Sequence, residues 1–327
     1  MDNLRNTIAT KILSNIPPRV KPIDYLMETL NISRESVYRR IRGDISFTFE
    51  EIAKLSVELG FSIDELIIKD QPSRVFFDLH IASMQNPSDV FMMIFQQYLQ
   101  NTFNISYTKD IESVMVLNHV PPCFTIFFNH LFKFSYYRWM HQNQESSLKY
   151  FYADVVLPEK LIGLQQKAIE NSKRIQNNTF ILDPNIFLNL TREIHYYNKR
   201  RLINEDDFSL IREDLLGLID MLESIAQTGF YASEAKYNFY ISSLNVESSS
   251  QYIRYDEQVK SQFFVSAIEP ITVTNPSLCA IHKKWLDSIR KYATLITQSN
   301  EILQVRYFNK QRNYIEELSE STPLTTL

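Results

Sequence analysis

The stretch that most limits what this chain can fold into is Asn31 to Gly43, which reads NISRESVYRRIRG. Between Ser33 and Arg42 the aliphatic positions are Val37 and Ile41, one helical turn apart. A helix with so narrow an apolar stripe can lie on a core by one edge only, and its other side must stay polar and outward. The signals around it agree. Asn31 suits a turn that needs a left-handed backbone. Ser33 offers its hydroxyl to the free amides of a helix start, and Gly43 ends the helix. Four arginines against one glutamate give Ser33–Arg42 a net charge of +3.

The flanking residues build a bundle for that helix to rest on. Leu4, Ile8, Ile12 and Leu13 recur at helical spacing and predict a first helix over residues 3–15, stopped by Pro17-Pro18. Pro22 fits the first position of a second helix ending at Leu30, with Ile23, Leu26, Met27 and Leu30 as its buried stripe. Thr48 and Glu51 form a capping box for a fourth helix, Phe49 to Leu59, with Gly60 as its stop. Ser62 and Glu65 repeat the box for a short fifth helix ending near Ile67. Residues 1–70 hold ten Lys and Arg against eleven Asp and Glu, and the whole chain carries a net charge of −4. Any attraction to nucleic acid therefore has to be local.

The run KPIDYLMETLNISRESVYRRIRGDISFTFEEIAKLSVELGFSIDEL resembles the Cro/XRE (phage-repressor-like) helix-turn-helix family. Leu26, Ile32, Ser33, Val37 and Gly43 carry the resemblance, closed by Leu55, Leu59-Gly60, Ser62 and Asp64-Glu65-Leu66. It covers roughly a seventh of the chain. The resemblance implies a five-helix DNA-binding domain whose third helix reads bases. Carried over by position, Arg34, Glu35 and Arg39 face base edges, with Tyr38 on the same outer side, while Lys21, Ser33, Ser36 and Arg42 lie nearer phosphates. The chemistry suits those roles: an arginine fork reaches guanine O6 and N7, and a glutamate accepts from cytosine N4. The sequence departs from the family at Met27, where a small residue is usual, and at Asn31, which replaces a glycine. Arg40-Ile41 stands where an apolar residue followed by glutamate is more common, so Ile41 is expected to take the buried role.

The rest of the chain gives architecture rather than chemistry. Lys69 to Ser73 reads as linker, within a boundary placed at 69–75 between a domain of residues 1–68 and one of 76–327. Asn86-Pro87 opens a helix to about Asn101, residues 110–118 are ambiguous, and Pro121-Pro122 opens an aromatic-rich helix to about His141. Aromatics on all its sides predict burial, and Phe124, Phe128, Tyr137 and Trp139 are candidates to line a ligand cage. Further helices are predicted over Pro158–Arg174 and from Asp183-Pro184 to about Arg201. Asp207 to Gln227 has the cleanest pattern: Phe208, Ile211, Leu215, Leu218, Leu222 and Ile225 in steps of three and four, an intramolecular core stripe. The period then changes to two, and segments near 237–241, 251–255, 261–265 and 271–274 predict a small, largely antiparallel sheet. A long helical region, 277 to about 318 with a break near Ser299-Asn300, closes the chain.

Several classes of chemistry lack their motifs. The five glycines are isolated, so no phosphate-cradling loop is spelled out, and the six histidines show no zinc-protease spacing. The two cysteines lie far apart, as reduced buried thiols do. No charge-free run reaches spanning length, because Asn129, His130, Lys133 and Arg138 interrupt the most apolar stretch. The expectation is therefore a mostly α, α+β protein of the cytoplasm, not an enzyme, using no cofactor. It would bind double-stranded DNA as a homodimer and answer to a small-molecule or protein effector. The alternative is a helical protein–protein adaptor with a degenerate helix-turn-helix.

Overall fold

The computed structural model describes residues 2–16, 20–59, 61–63, 86–108, 110–143, 150–231, 235–265 and 270–318. The chain divides into two compact units, Met1–Phe76 and Phe77–Leu327. The expected fifth helix beyond Ile63, the Gly60 stop and the 69–75 linker lie outside the described residues.

In the first unit, α1 (Asp2–Asn15), α2 (Pro22–Leu30), α3 (Arg34–Ile41) and α4 (Phe49–Leu59) pack around Ile12, Ile16, Leu26, Val37, Leu55 and Phe61. The start and stop chemistry is as the residues dictate. Pro22 occupies the first turn of α2, and Asn31 closes that helix at φ 53°, ψ 48°. The capping box of α4 is made both ways: the Thr48 amide donates to Glu51 Oε2 (2.9 Å) and the Glu51 amide donates to Thr48 Oγ1 (3.2 Å).

The second unit holds α5 (Pro87–Ser106), β1 (Ile111–Leu117), α6 (Pro122–Thr125), α7 (Asn129–Asn143), α8 (Glu159–Ser172), β2 (Asn178–Leu182), α9 (Leu188–Lys199) and α10 (Glu205–Thr228). After these come β3 (Phe230–Tyr231), β4 (Ala235–Ser242), β5 (Ser250–Tyr255), β6 (Gln258–Phe264), β7 (Pro270–Val273), α11 (Pro276–Lys291), β8 (Ala293–Leu295) and α12 (Glu301–Glu316). Among the described residues the strands form one eight-stranded sheet in the order β3-β4-β2-β1-β5-β6-β7, with β8 on β4. The sheet is larger than the small, largely antiparallel one expected, and it is mixed: five of its seven pairings are antiparallel, but its centre is parallel. β1 and β4 run parallel to β2 at its centre, and β5, β6 and β7 continue it antiparallel.

The parallel centre rests on segment 110–118, ambiguous in the sequence, which supplies the middle strand. Met115 and Leu117 enter the main core on one face, while Val114 and Val116 pack on the other with Cys279 and Leu286 of α11. A strand buried on both sides reads as an unbroken apolar run without alternation. The expected aromatic helix from Pro121 is two helices, separated at Ile126–Phe128. The second restarts on a cap borrowed from α10: Asp214 Oδ2 accepts from the His130 (2.7 Å) and Leu131 (3.2 Å) amides. The final helical region is likewise two helices, with β8 between them. On α10 all six periodic positions are buried in the main core, and Gly229 at φ 83° ends the helix.

A buried histidine ties α11 to the sheet. His282 Nδ1 lies 2.8 Å from Ser261 Oγ on β6, and Nε2 lies 3.0 Å from Ser250 Oγ on β5. Burial pushes the imidazole down to about 4. An unfolded chain takes up this proton near pH 6.5, so between about 6.5 and 4 the unfolded state binds more protons than the folded one. Stability therefore rises with pH across that window and is lost on acidification. The urea midpoint is expected to fall between pH 7 and pH 5, and His282→Gln should shrink that difference. His119, which burial also holds at about 4, accounts for a residual slope.

Candidate functional site

Helix α3 presents the site read from the sequence. Counting about 100° per residue from Val37, Tyr38, Arg42, Glu35 and Arg39 fall within an arc of about 100° on the far side of the helix. The burial agrees: Val37 is 1% exposed, and Ile41 packs partly buried against the same core, in the role expected of it. Arg34, Glu35, Tyr38, Arg39 and Arg42 are all exposed. Their side chains are lightly held. Arg34 stands 3.9 Å from Asp24 and Arg42 4.0 Å from Asp44, both pairs in solvent. Exposed pairs at such distances contribute little and release easily to a better anion.

Ser33 and Ser36 sit at the start of α3. Ser33 Oγ accepts the Ser36 amide (3.3 Å) and donates to Ser36 Oγ (3.0 Å), so both serines shape the helix end where a phosphate would be favoured. Lys21 is exposed at the N-cap position of α2.

Arg40 has a different role, one that the count of arginines hides. It flanks Val37 at about 60°, as Arg34 does on the other flank, but its side chain is turned inward where that of Arg34 is in solvent. Its Nε donates to Glu51 Oε2 and its Nη2 to Glu51 Oε1, each at 2.8 Å, and Nη1 donates to the Ser36 carbonyl at 3.3 Å. The side chains of Arg40 and Glu51 are only 12% and 15% exposed. This fork fixes α3 against the start of α4, and it removes one cation from the outer face. The cationic set available to a ligand is Arg34, Arg39 and Arg42, opposed by Glu35. The sequence signal for the clamp was present in Glu51, whose capping role places its carboxylate at the α4 start.

The four aromatics proposed as a ligand cage do not converge on one space. Phe124 is buried against Phe180 and Phe239 and lines a cavity of about 390 Å³ in the second unit. Tyr137 is fully buried, its hydroxyl donating to the Tyr150 carbonyl (3.0 Å), and Trp139 Nε1 donates to the Pro87 carbonyl (2.8 Å). Phe128 packs against the Gly217 backbone of α10, where a Cβ would come within 3.0 Å of its ring. Tyr137, Trp139 and Phe128 therefore act as core, with hydroxyl and indole partners already supplied by the chain.

Near the carboxyl end of β1, His119 Nδ1 lies 2.9 Å from Asn118 Oδ1 and 3.0 Å from Ser249 Oγ. Among the described residues no group of three or more His, Cys, Asp or Glu is placed to hold a metal ion, and no helix is long and apolar enough to cross a membrane. Comparison with protein-family models, with curated proteins and with solved structures gives no match.

Proposed function

We propose that this chain is a sequence-specific DNA-binding transcriptional regulator with a Cro/XRE-like head over residues 1–68, including the short fifth helix read from the sequence. Helix α3 enters the major groove, with Arg34, Glu35 and Arg39 at base edges and Lys21, Ser33, Ser36 and Arg42 toward phosphates. The second unit senses a signal, joins two copies into a homodimer, or does both, in the cytoplasm. One observation carries the reading: the outer arc of α3 gathers exposed, loosely paired polar side chains, while Val37 and Arg40 hold the helix down from the other side.

Selection of duplexes from a random pool tests it. Two-fold symmetric half-sites about one helical turn apart are expected, and recovery of no preferred sequence would sink the proposal. Lys21→Ala should weaken binding to all sequences alike and reduce the salt slope by about one, since a phosphate contact carries no base information. The second reading, a protein–protein adaptor, draws on Phe49 and Val57 of α4, which are 72% and 84% exposed. A response flat across roughly 50–200 mM salt would favour it, because phosphate neutralisation must release counterions.

A further inference from the structure

The second unit holds a cavity of about 390 Å³ between α5 and one face of the sheet. Protein interiors are packed too closely to leave such a space by default, and its size is that of a small-molecule site. Its floor follows from the strand register. Gln251 on β5 pairs with Gln262 on β6, which pairs with Thr272 on β7. One pleat along, Lys260 pairs with Ile253, which pairs with Ser113 on β1. Residues two apart on a strand share a face, so Gln251, Gln262, Thr272 and Lys260 form a polar end. Toward β1, β2 and β4 the floor turns apolar through Met115, Phe180 and Tyr237, with Phe124 above.

The polar end is built. Gln262 is 7% exposed and its Nε2 donates to Thr272 Oγ1 (3.2 Å), while Gln251 Nε2 donates to Ser113 Oγ (3.2 Å). Among the described lining residues Lys260 is the one charged side chain, and no carboxylate answers it. Its ammonium lies 5.3 Å from the Tyr255 ring centroid. The far end is enclosed: Cys123 lines it, and burial pushes its thiol up to about 12.

Shape narrows the ligand further. From Tyr237 on β4 to Thr272 on β7 the lining crosses five strand spacings, about 24 Å. A lining that runs from a polar end to an apolar one over that length suits an extended chain with one polar head. We infer that this cavity binds a straight-chain monocarboxylic acid, its carboxylate drawn to Lys260 at the polar end and its hydrocarbon tail along Met115, Phe180 and Phe124. A single anion meets a single cation, and the tail exchanges water for apolar wall. The inference uses only residues of the second unit, so it stands or falls apart from the reading of α3.

The test uses the full chain with dodecanoate below its micelle concentration, dodecan-1-ol as the headgroup control, and methyl-labelled methionine. Dodecanoate is expected to bind saturably at one site and to shift the Met115 methyl resonance, assigned through Met115→Leu. Lys260→Gln should weaken dodecanoate by about tenfold or more while leaving dodecan-1-ol unchanged, since only the charged headgroup loses its partner. Lys260 is half-buried at the cavity edge, and its replacement should leave the far-ultraviolet spectrum unaltered. Absence of saturable binding, an unshifted Met115 resonance, or equal affinity in Lys260→Gln would each overturn the assignment.

Discussion

Arg34→Ala and Arg39→Ala are each expected to weaken binding to the selected duplex by about 1–3 kcal/mol, a loss of roughly 5- to 150-fold, and to relax the base preference each imposes. The reason is the contrast in what the two states of the side chain touch. In the free protein both guanidinium groups are exposed, and among the described residues the one ion pair either of them makes, Arg34 to Asp24, is 3.9 Å long and solvated. Little is given up when they leave it. At a guanine edge each would make two charge-assisted hydrogen bonds in a groove from which water has been displaced. Because neither side chain supports the core, the melting temperature of the double variant should match that of the parent. The double variant separates base reading from phosphate attraction. It should lose preference among sequences while keeping weak, salt-sensitive binding through Lys21 and Arg42. Unchanged affinity and unchanged preference in the double variant would defeat the assignment of α3 as the reading helix.

The first unit was legible in the sequence because its local signals are redundant. A proline at the start of α2, an asparagine in the left-handed region at its end, a serine cap and a capping box each fix one boundary, and α2 to α4 start where these signals place them. The second unit was legible only where one face of an element is wet. Helix α10 shows its stripe because its other side meets solvent, and β4 shows its alternation for a similar reason. β1 and β2 are enclosed by helices on both faces and therefore show no period at all. The cavity was illegible for a further reason. Its polar end comes from Gln251, Lys260, Gln262 and Thr272, unremarkable residues on three strands, and only the register brings them into rows. The aromatic run from Phe124 to Trp139 gives no pointer to it, since Phe124 alone of the four candidates lines the space.

The Arg40–Glu51 fork predicts an effect of the opposite kind to that of Arg34 and Arg39. Removing one member of a nearly buried pair leaves the other without its counter-charge, at a cost of about 3–5 kcal/mol in a closed interior. Here the pair keeps 12% and 15% of its side-chain surface, so water offers partial relief and Arg40→Ala should cost about 2–3 kcal/mol. Glu51→Ala should cost at least as much, because the same carboxylate also accepts the Thr48 amide at the start of α4. Arg40→Met with Glu51→Met should cost less than the two single changes together, since no charge is then stranded and the methionines fill the space with apolar surface. Calorimetry should show the loss in the transition of the first unit, with the transition of the second unit unmoved. DNA affinity should fall in Arg40→Ala only as far as the folded fraction falls, and cooling toward the temperature of greatest stability should restore it. If Arg40→Ala lost base preference at a temperature where the first unit is fully folded, Arg40 would be a reading residue and the clamp would be the wrong account of it.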